Sequence, residues 1–337
     1  MKYISVGDMS QTYLMRRHNA QLKTTMTRLS EEMVTGVSQD VGAAVGGDFT
    51  AISAIEHALS RTGAFKLAAT EAELIAGAQQ QTLNLFQNHA HEIGSNLISA
   101  ASSSASAMVE AGMSDAAQRF SSILAALNTN ISGRHVFAGV ATDSIPVAPE
   151  ATIMAALGAS VSGMTLVEDI VTAVDDWFDA PAGGGGYLDV AYLGSDTALA
   201  GFAVADTDTV ELPLTAADPT LRDALKGFAL AALVAQDLVP DTHDLRVSLA
   251  QTAGEKIISA EGNLTALQSE LGTTEGIISS AQTRNAAQKT SLQIAKGELI
   301  GVDAYESATA LEAVQTQLDT LYTLTTRLSQ LSLTDYL

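Results

Sequence analysis

Residues Ile257 to Leu299 read IISAEGNLTALQSELGTTEGIISSAQTRNAAQKTSLQIAKGEL. Within that stretch Ile257, Leu264, Leu271, Ile278, Asn285, Leu292 and Leu299 recur every seven residues with one polar member. A companion row runs Ala260, Leu267, Thr274, Ala281, Gln288, Ala295 and Val302. A seven-residue apolar repeat keeps one stripe of an α-helix turned toward the same neighbour over many turns. Leucine in one row against small or polar residues in the other predicts a long helix that packs closely on one side and is bare on the other.

Downstream, the phase slips at Gly301 to Asp303, where Asp303 followed three residues later by Glu306 has the spacing of a helix cap that restarts the chain in a new register. The resumed seam is Leu311, Val314, Leu318, Leu321 and Leu328. The same alternating three and four spacing occurs near the other end in Met15, Leu22, Met26, Leu29 and Met33, with Asn19 as its polar member. TGVSQDVGAAVGG, Thr35 to Gly47, breaks that pattern and reads as an irregular connection. A long helix follows from about Phe49, clearest at Leu83, Phe86, Ala90, Ile93 and Leu97. Its Gly63, Gly77 and Gly94 each cost about 1 kcal/mol relative to alanine, so packing must hold it. A shorter helix is expected from an N-cap at Ser114, through Phe120, Ile123, Leu127 and Ile131, to a left-handed cap at Gly133.

Between these helical segments the composition changes. Thr142 to Asp244 holds all six prolines, the run Gly183 to Gly186 and the single Trp177. Most of the chain's net charge of -21 also falls here. Tyr187 to Leu193, Leu199 to Val204 and Thr209 to Leu214 read as short strands, with helices at Thr165 to Phe178 and Pro219 to Val234. The apolar FALAALVAQ in the second of these helices reads as core-facing, because it is too short to span a bilayer.

A surplus of 38 acidic over 17 basic side chains repels nucleic-acid phosphates and anionic lipid, so neither is an expected partner. The opening residues lack the apolar run of a secretory signal, and with no cysteine there is neither a disulfide framework nor a thiolate metal site. His91-Glu92 lacks the second histidine one turn on that zinc binding requires, and His89 and His91 point about 200° apart on a helix. The glycine run has neither the Lys-Ser/Thr ending nor the following helix start of a phosphate loop, and reads as a flexible loop. Glu168/Asp169 and Asp175/Asp176 read as solvated charge. No catalytic, cofactor or metal site is expected, and the chain reads as a non-enzyme.

Apolar seams near both ends, flanking an acidic region, imply that the first and last helices meet in space. The expected fold is therefore mainly α with an α+β insert: a long helical bundle or coiled coil from both chain ends, plus a smaller acidic outer domain. Residues 1–48 form an N-terminal assembly arm, 49–141 and 242–302 a helical core domain, 142–241 the outer domain and 303–337 a C-terminal assembly arm. The assembly interface is assigned to Leu22, Met26, Leu29, Met33, Leu311, Val314, Leu318, Leu321 and Leu328.

The strings LKTTMTRLSEEMVTG, Leu22 to Gly36, and ATALEAVQTQLDTLYTLTTRLSQLSLTDYL, Ala308 to Leu337, resemble the arms of the flagellin-like family of bacterial flagellar axial proteins. NTNISGRHVFAG, Asn128 to Gly139, is more similar to that family's hook-filament junction members than to filament flagellin, a distinction carried by Val136, Phe137, Ala138 and Gly139. Filament flagellin usually carries a paired-aspartate motif after its first arm, and here that region is Gln39, Asp40, Val41 and Gly42. The resemblance implies a secreted structural subunit, exported unfolded through the flagellar type III channel and joining hook to filament. It implies neighbouring copies of itself, an adjacent hook-associated protein, flagellin and a cytoplasmic export chaperone on the C-terminal arm as partners. A filament subunit and a cytoplasmic coiled-coil scaffold are the competing readings.

Overall fold

The structure, a computed structural model, describes residues 6–334, with side chains described at 9, 10 and 12–327. The chain is mainly helical. It divides into two compact units, one formed by Met1–Gly63 with Ala286–Leu337 and the other by the continuous segment Ala64–Asn285.

The first unit contains α1 (Val6–Thr35), a single turn α2 (Val41–Ala44), the start of α3 (Thr50–Ser103), the end of α9 (His243–Ile300) and α10 (Ala304–Thr334). Helices α1 and α10 pack against each other along their length. The expected irregular connection after Thr35 is present, interrupted only by α2, which Asp40 caps by accepting from the Ala43 amide. Helix α9 stops at Ile300, and Asp303 restarts the chain by accepting from the amides of Tyr305 at 2.7 Å and Glu306 at 3.3 Å.

The second unit is built on the remainder of α3 and α9 with α4 (Ser106–Leu127) and α8 (Pro219–Ala235). The heptad row of α9 is buried at Ile257, Leu264, Leu271 and Ile278. Its polar member Asn285 is buried as well and donates to the Val204 carbonyl at 2.8 Å. Helix α8 is buried almost all round, as its composition predicts, and Asp218 caps it. Of its two cations, Arg222 donates to the Ala217 and Phe178 carbonyls. Lys226 is covered by Asp179 and Asp223 at 2.7 and 2.6 Å; burial works against the charge, but these two hydrogen bonds outweigh it and hold the ammonium above its usual pKa.

Four local expectations are corrected. Helix α4 begins at Ser106, not after Ser114, because Val109 and Met113 extend its apolar stripe by two turns; the break from α3 falls at Ser104, with φ 51°. It ends at Leu127, not near Gly133, because Asn128 leaves the helix to pair with the Val147 backbone through both amide atoms at 2.9 Å. Ile131 and Gly133 then belong to a hairpin of β1 (Asn130–Ile131) and β2 (Arg134–His135), whose turn residues Ser132 and Gly133 have φ 53° and 86°.

Tyr187 to Leu193 is not a strand. Residues Tyr187–Val190 form the short helix α7, with the Tyr187 ring fully buried, 5.4 Å from Phe178, and its hydroxyl donating to the Ala216 carbonyl. The other two expected strands shorten to Phe202–Ala203 (β3) and Thr209–Val210 (β4), which pair antiparallel. Helices α5 (Glu150–Ser160) and α6 (Val167–Asp179) complete the layer over α8. The glycine run is not free chain either: Asp189 accepts from the amides of Gly183 and Gly185 at 2.8 and 2.7 Å. These amides converge on a carboxylate of the same chain, which lowers that carboxyl's pKa and fills the cradle an external anion would need.

Candidate assembly interface

Helices α1 and α10 run antiparallel, as four contacts along them establish. Thr325 Oγ1 lies 3.9 Å from Met15 Sδ. The Tyr322 hydroxyl lies beside the Asn19 amide and the Lys23 ammonium, which lower its pKa. Leu29, Val314 and Leu318 form a buried cluster, joined by Leu22, Met26, Ala310 and Leu311. At the end of the pair, the Val302 amide donates to the Gly36 carbonyl at 3.1 Å and the Ser38 amide to the Ile300 carbonyl at 2.8 Å.

These last two bonds make an antiparallel bridge between Val37 and Gly301, so the chain leaves α1 and leaves α9 at one level. Each turn is fixed by its own sequence. Gly36 has φ 69°, a conformation costly for any residue with a Cβ. A Cβ on Gly301 would stand 2.3 Å from the Gly297 carbonyl. Glu32, only 3% exposed, accepts from the Arg28 guanidinium at 2.9 Å and from the Gln39 amide at 2.9 Å, tying the last turn of α1 to the connection beyond it. Lys296 and Glu56 add an ion pair at 2.9 Å between α9 and α3 in the same unit.

The residues assigned to the interface distribute as follows. Leu29, Val314 and Leu318 are buried, and Leu22, Met26, Leu311 and Leu321 are half-buried. Met33 is 41% exposed, because Glu32 holds the inward position at that turn. The side chain of Leu328 lies outside the described residues. Sequence reasoning missed the Glu32 clamp, whose signal is the Arg28 and Glu32 pair one turn apart, and the bridge at Val37, which nothing but the glycines Gly36 and Gly301 announces.

This seam is narrow. Its buried core is three side chains, whereas Met9, Tyr13, Leu14, Val34, Phe49, Ile294, Tyr305, Tyr322 and Leu324 of the same unit are exposed. Long helices with so little covered apolar surface gain little from intra-chain packing, and bare apolar faces of this extent mark surfaces that a neighbour covers.

Val136, Phe137, Ala138 and Gly139 are all buried, in the second unit. The Phe137 carbonyl accepts from the Ala216 amide and the Ala138 carbonyl from the Ser195 amide, while the Val140 amide donates to Thr197. The string is thus a packing element that docks two loops onto the helical core. Among the described residues no three His, Asp or Glu side chains are placed to hold a metal, and no helix is long and apolar enough to cross a membrane.

Residues 255–337 match the family model described as the bacterial flagellin C-terminal helical region. That segment comprises most of α9 and all of α10. No curated protein is similar enough in sequence to stand as a relative. Among solved structures, one described provisionally as a flagellar hook-associated protein from Vibrio parahaemolyticus is similar over 72% of this chain and 93% of its own, at 13% identity and a TM-score of 0.47.

Proposed function

We propose that this chain is a structural subunit of the bacterial flagellum that polymerises through the antiparallel pair α1 and α10, at the junction of hook and filament. The observation that carries the reading is the identity of the paired segments. The helix that matches the flagellin C-terminal region has α1, from the opposite end of the sequence, as its partner, and together they leave Tyr13, Leu14, Val34, Tyr305 and Leu324 exposed. Apolar surface of that kind is stabilised by burial against neighbours, at about 25 cal/mol per Å² covered, so folding of the arm and assembly are coupled. Copies of the same chain, an adjacent hook-associated protein and flagellin are the neighbours; an export chaperone covers the C-terminal arm before secretion through the type III channel.

Placement at the junction, as hook-associated protein 3, is supported by the resemblance of Asn128 to Gly139. A filament-subunit role is favoured by the flagellin description of the matched C-terminal region. Immunogold labelling of intact flagella separates the two: a narrow band at the hook end is expected, and label along the whole filament overturns the junction assignment. Deleting the gene should leave hooks on the cell while flagellin accumulates in the medium.

A further inference from the structure

The first unit is electrically divided along its length. From Met9 to Ser30, α1 carries Arg16, Arg17, Lys23 and Arg28 and no acidic residue. From Glu31 to Asp48 the charges are Glu31, Glu32, Asp40 and Asp48, with no basic residue, and from Gly297 to Glu312 they are Glu298, Asp303, Glu306 and Glu312, again unopposed. The bridge between Val37 and Gly301 brings these two acidic segments to one place. Arg28 is paired with Glu32. Arg16 and Arg17 are exposed with no carboxylate partner among the described residues, and Glu31, Glu298 and Glu306 are exposed with no cation partner among them.

Both poles also carry bare apolar side chains. Tyr13 and Leu14, 67% and 51% exposed, flank the arginines. Val34 and Tyr305, 80% and 82% exposed, stand within four residues of the bridge among the carboxylates. One pole is therefore apolar and basic, the other apolar and acidic, on a chain whose overall charge of -21 otherwise opposes self-association. We propose that the basic pole of one copy, Tyr13 to Arg17, docks on the acidic pole of the next, around Val34 and Tyr305. The two surfaces differ, so the contact is heterologous: each copy uses one pole on each neighbour, and association continues head to tail. Poles about 19 residues apart on α1 set an axial offset of about 28 Å between successive copies. The inference rests on the polymerising role proposed above and adds to it a direction, a register and a salt dependence.

The absence of cysteine makes a clean test available. Full-length protein carrying both Leu14→Cys and Tyr305→Cys is concentrated and oxidised, and the products are separated without reductant. A ladder of multimers is expected, because each copy is cross-linked at both poles. Raising the salt from about 50 mM to about 500 mM should thin the ladder, since exposed charge pairs are screened. Arg16→Glu with Arg17→Glu should cut its yield at least tenfold, and mixing that protein with a Glu298→Lys, Glu306→Lys partner should restore cross-links between the two. A product that stops at dimers overturns head-to-tail docking in favour of symmetric pairing. Oligomers that form regardless of charge and give no ladder overturn this inference and leave the polymerising role standing. A wild-type chain that stays monomeric at every concentration overturns both.

Discussion

At the scale of single residues, the positions that tolerate least are those where backbone meets backbone. Gly139 has φ 63°, and a Cβ there would lie 2.5 Å from the carbonyl oxygens of both Ser195 and Thr197. Neither oxygen can move without breaking its loop, so Gly139→Ala should destabilise the second unit by about 2–4 kcal/mol, read as a drop in its urea midpoint. His89 makes a different demand. Its Nδ1 accepts from Arg119 at 2.8 Å, while Nε2 is buried without a partner; burial, and then the Arg119 charge, hold its pKa below the ordinary value of 6.5. Because Arg119 is itself bound to Glu92 and Asp115, the imidazole cannot gain a proton without placing a second cation in that network. A folded-state pKa below the unfolded one means that the unfolded chain takes up the proton first. The stability His89 confers is complete above 6.5 and is lost as the pH falls through the folded value. Lowering the pH from about 7.5 to about 5.5 should therefore reduce the urea midpoint of wild type more than that of His89→Gln; equal shifts would remove His89 as the cause.

At the scale of elements, the helical glycines sort into two kinds that look alike in sequence. Gly94 and Gly254 face each other where α3 crosses α9: a Cβ on Gly254 would meet the Gly94 carbonyl at 2.9 Å and the Ile98 amide at 3.2 Å. At Gly77 and Gly262 the space a Cβ would take is open, with nothing within 4 Å. Gly254→Ala should thus cost about 1–3 kcal/mol by forcing the helices apart, whereas Gly77→Ala and Gly262→Ala should stabilise by about 0.5–1 kcal/mol through helix propensity alone. Thermal melts of the three variants decide it, and a common sign for all three would be inconsistent with the crossing. The same contrast explains what was legible beforehand. The heptad row of α9 was readable because burial on one stripe imposes its period directly on sequence. The end of α4 was not, because it is set by the Asn128 side chain reaching Val147, a contact between residues 19 apart that no local pattern encodes. Tyr187 to Leu193 misled for a related reason: apolar residues there anchor a short helix against Phe178 and Trp177, so tertiary contacts and not period decide the conformation.

At the scale of the whole molecule, stability is distributed very unevenly. The second unit is one continuous segment, Ala64–Asn285, with an extensive buried core that includes Phe86, Phe120, Phe137, Phe178 and Phe228. The first unit has three buried apolar side chains in its α1 and α10 seam. The seam's partners were legible in sequence, since both rows repeat with helical spacing, but its depth was not: Glu32 displaces Met33 only because the Gln39 amide offers the carboxylate a partner. Cooperative unfolding scales with the surface buried, so the two units should unfold separately, the first at low denaturant with a small urea dependence and the second later with a large one. A fragment of residues 64–285 should reproduce the second transition unchanged. Removing Leu318 to Leu337 takes away one of the three buried seam residues together with Tyr322 and Thr325, the partners of Asn19 and Met15. That truncation should erase the first transition, leave the second at the same midpoint, and abolish polymerisation. Circular dichroism across a urea titration, with sedimentation of the same samples, measures all three; a shortened chain that still polymerises would mean that the paired arms are not what holds neighbouring copies together.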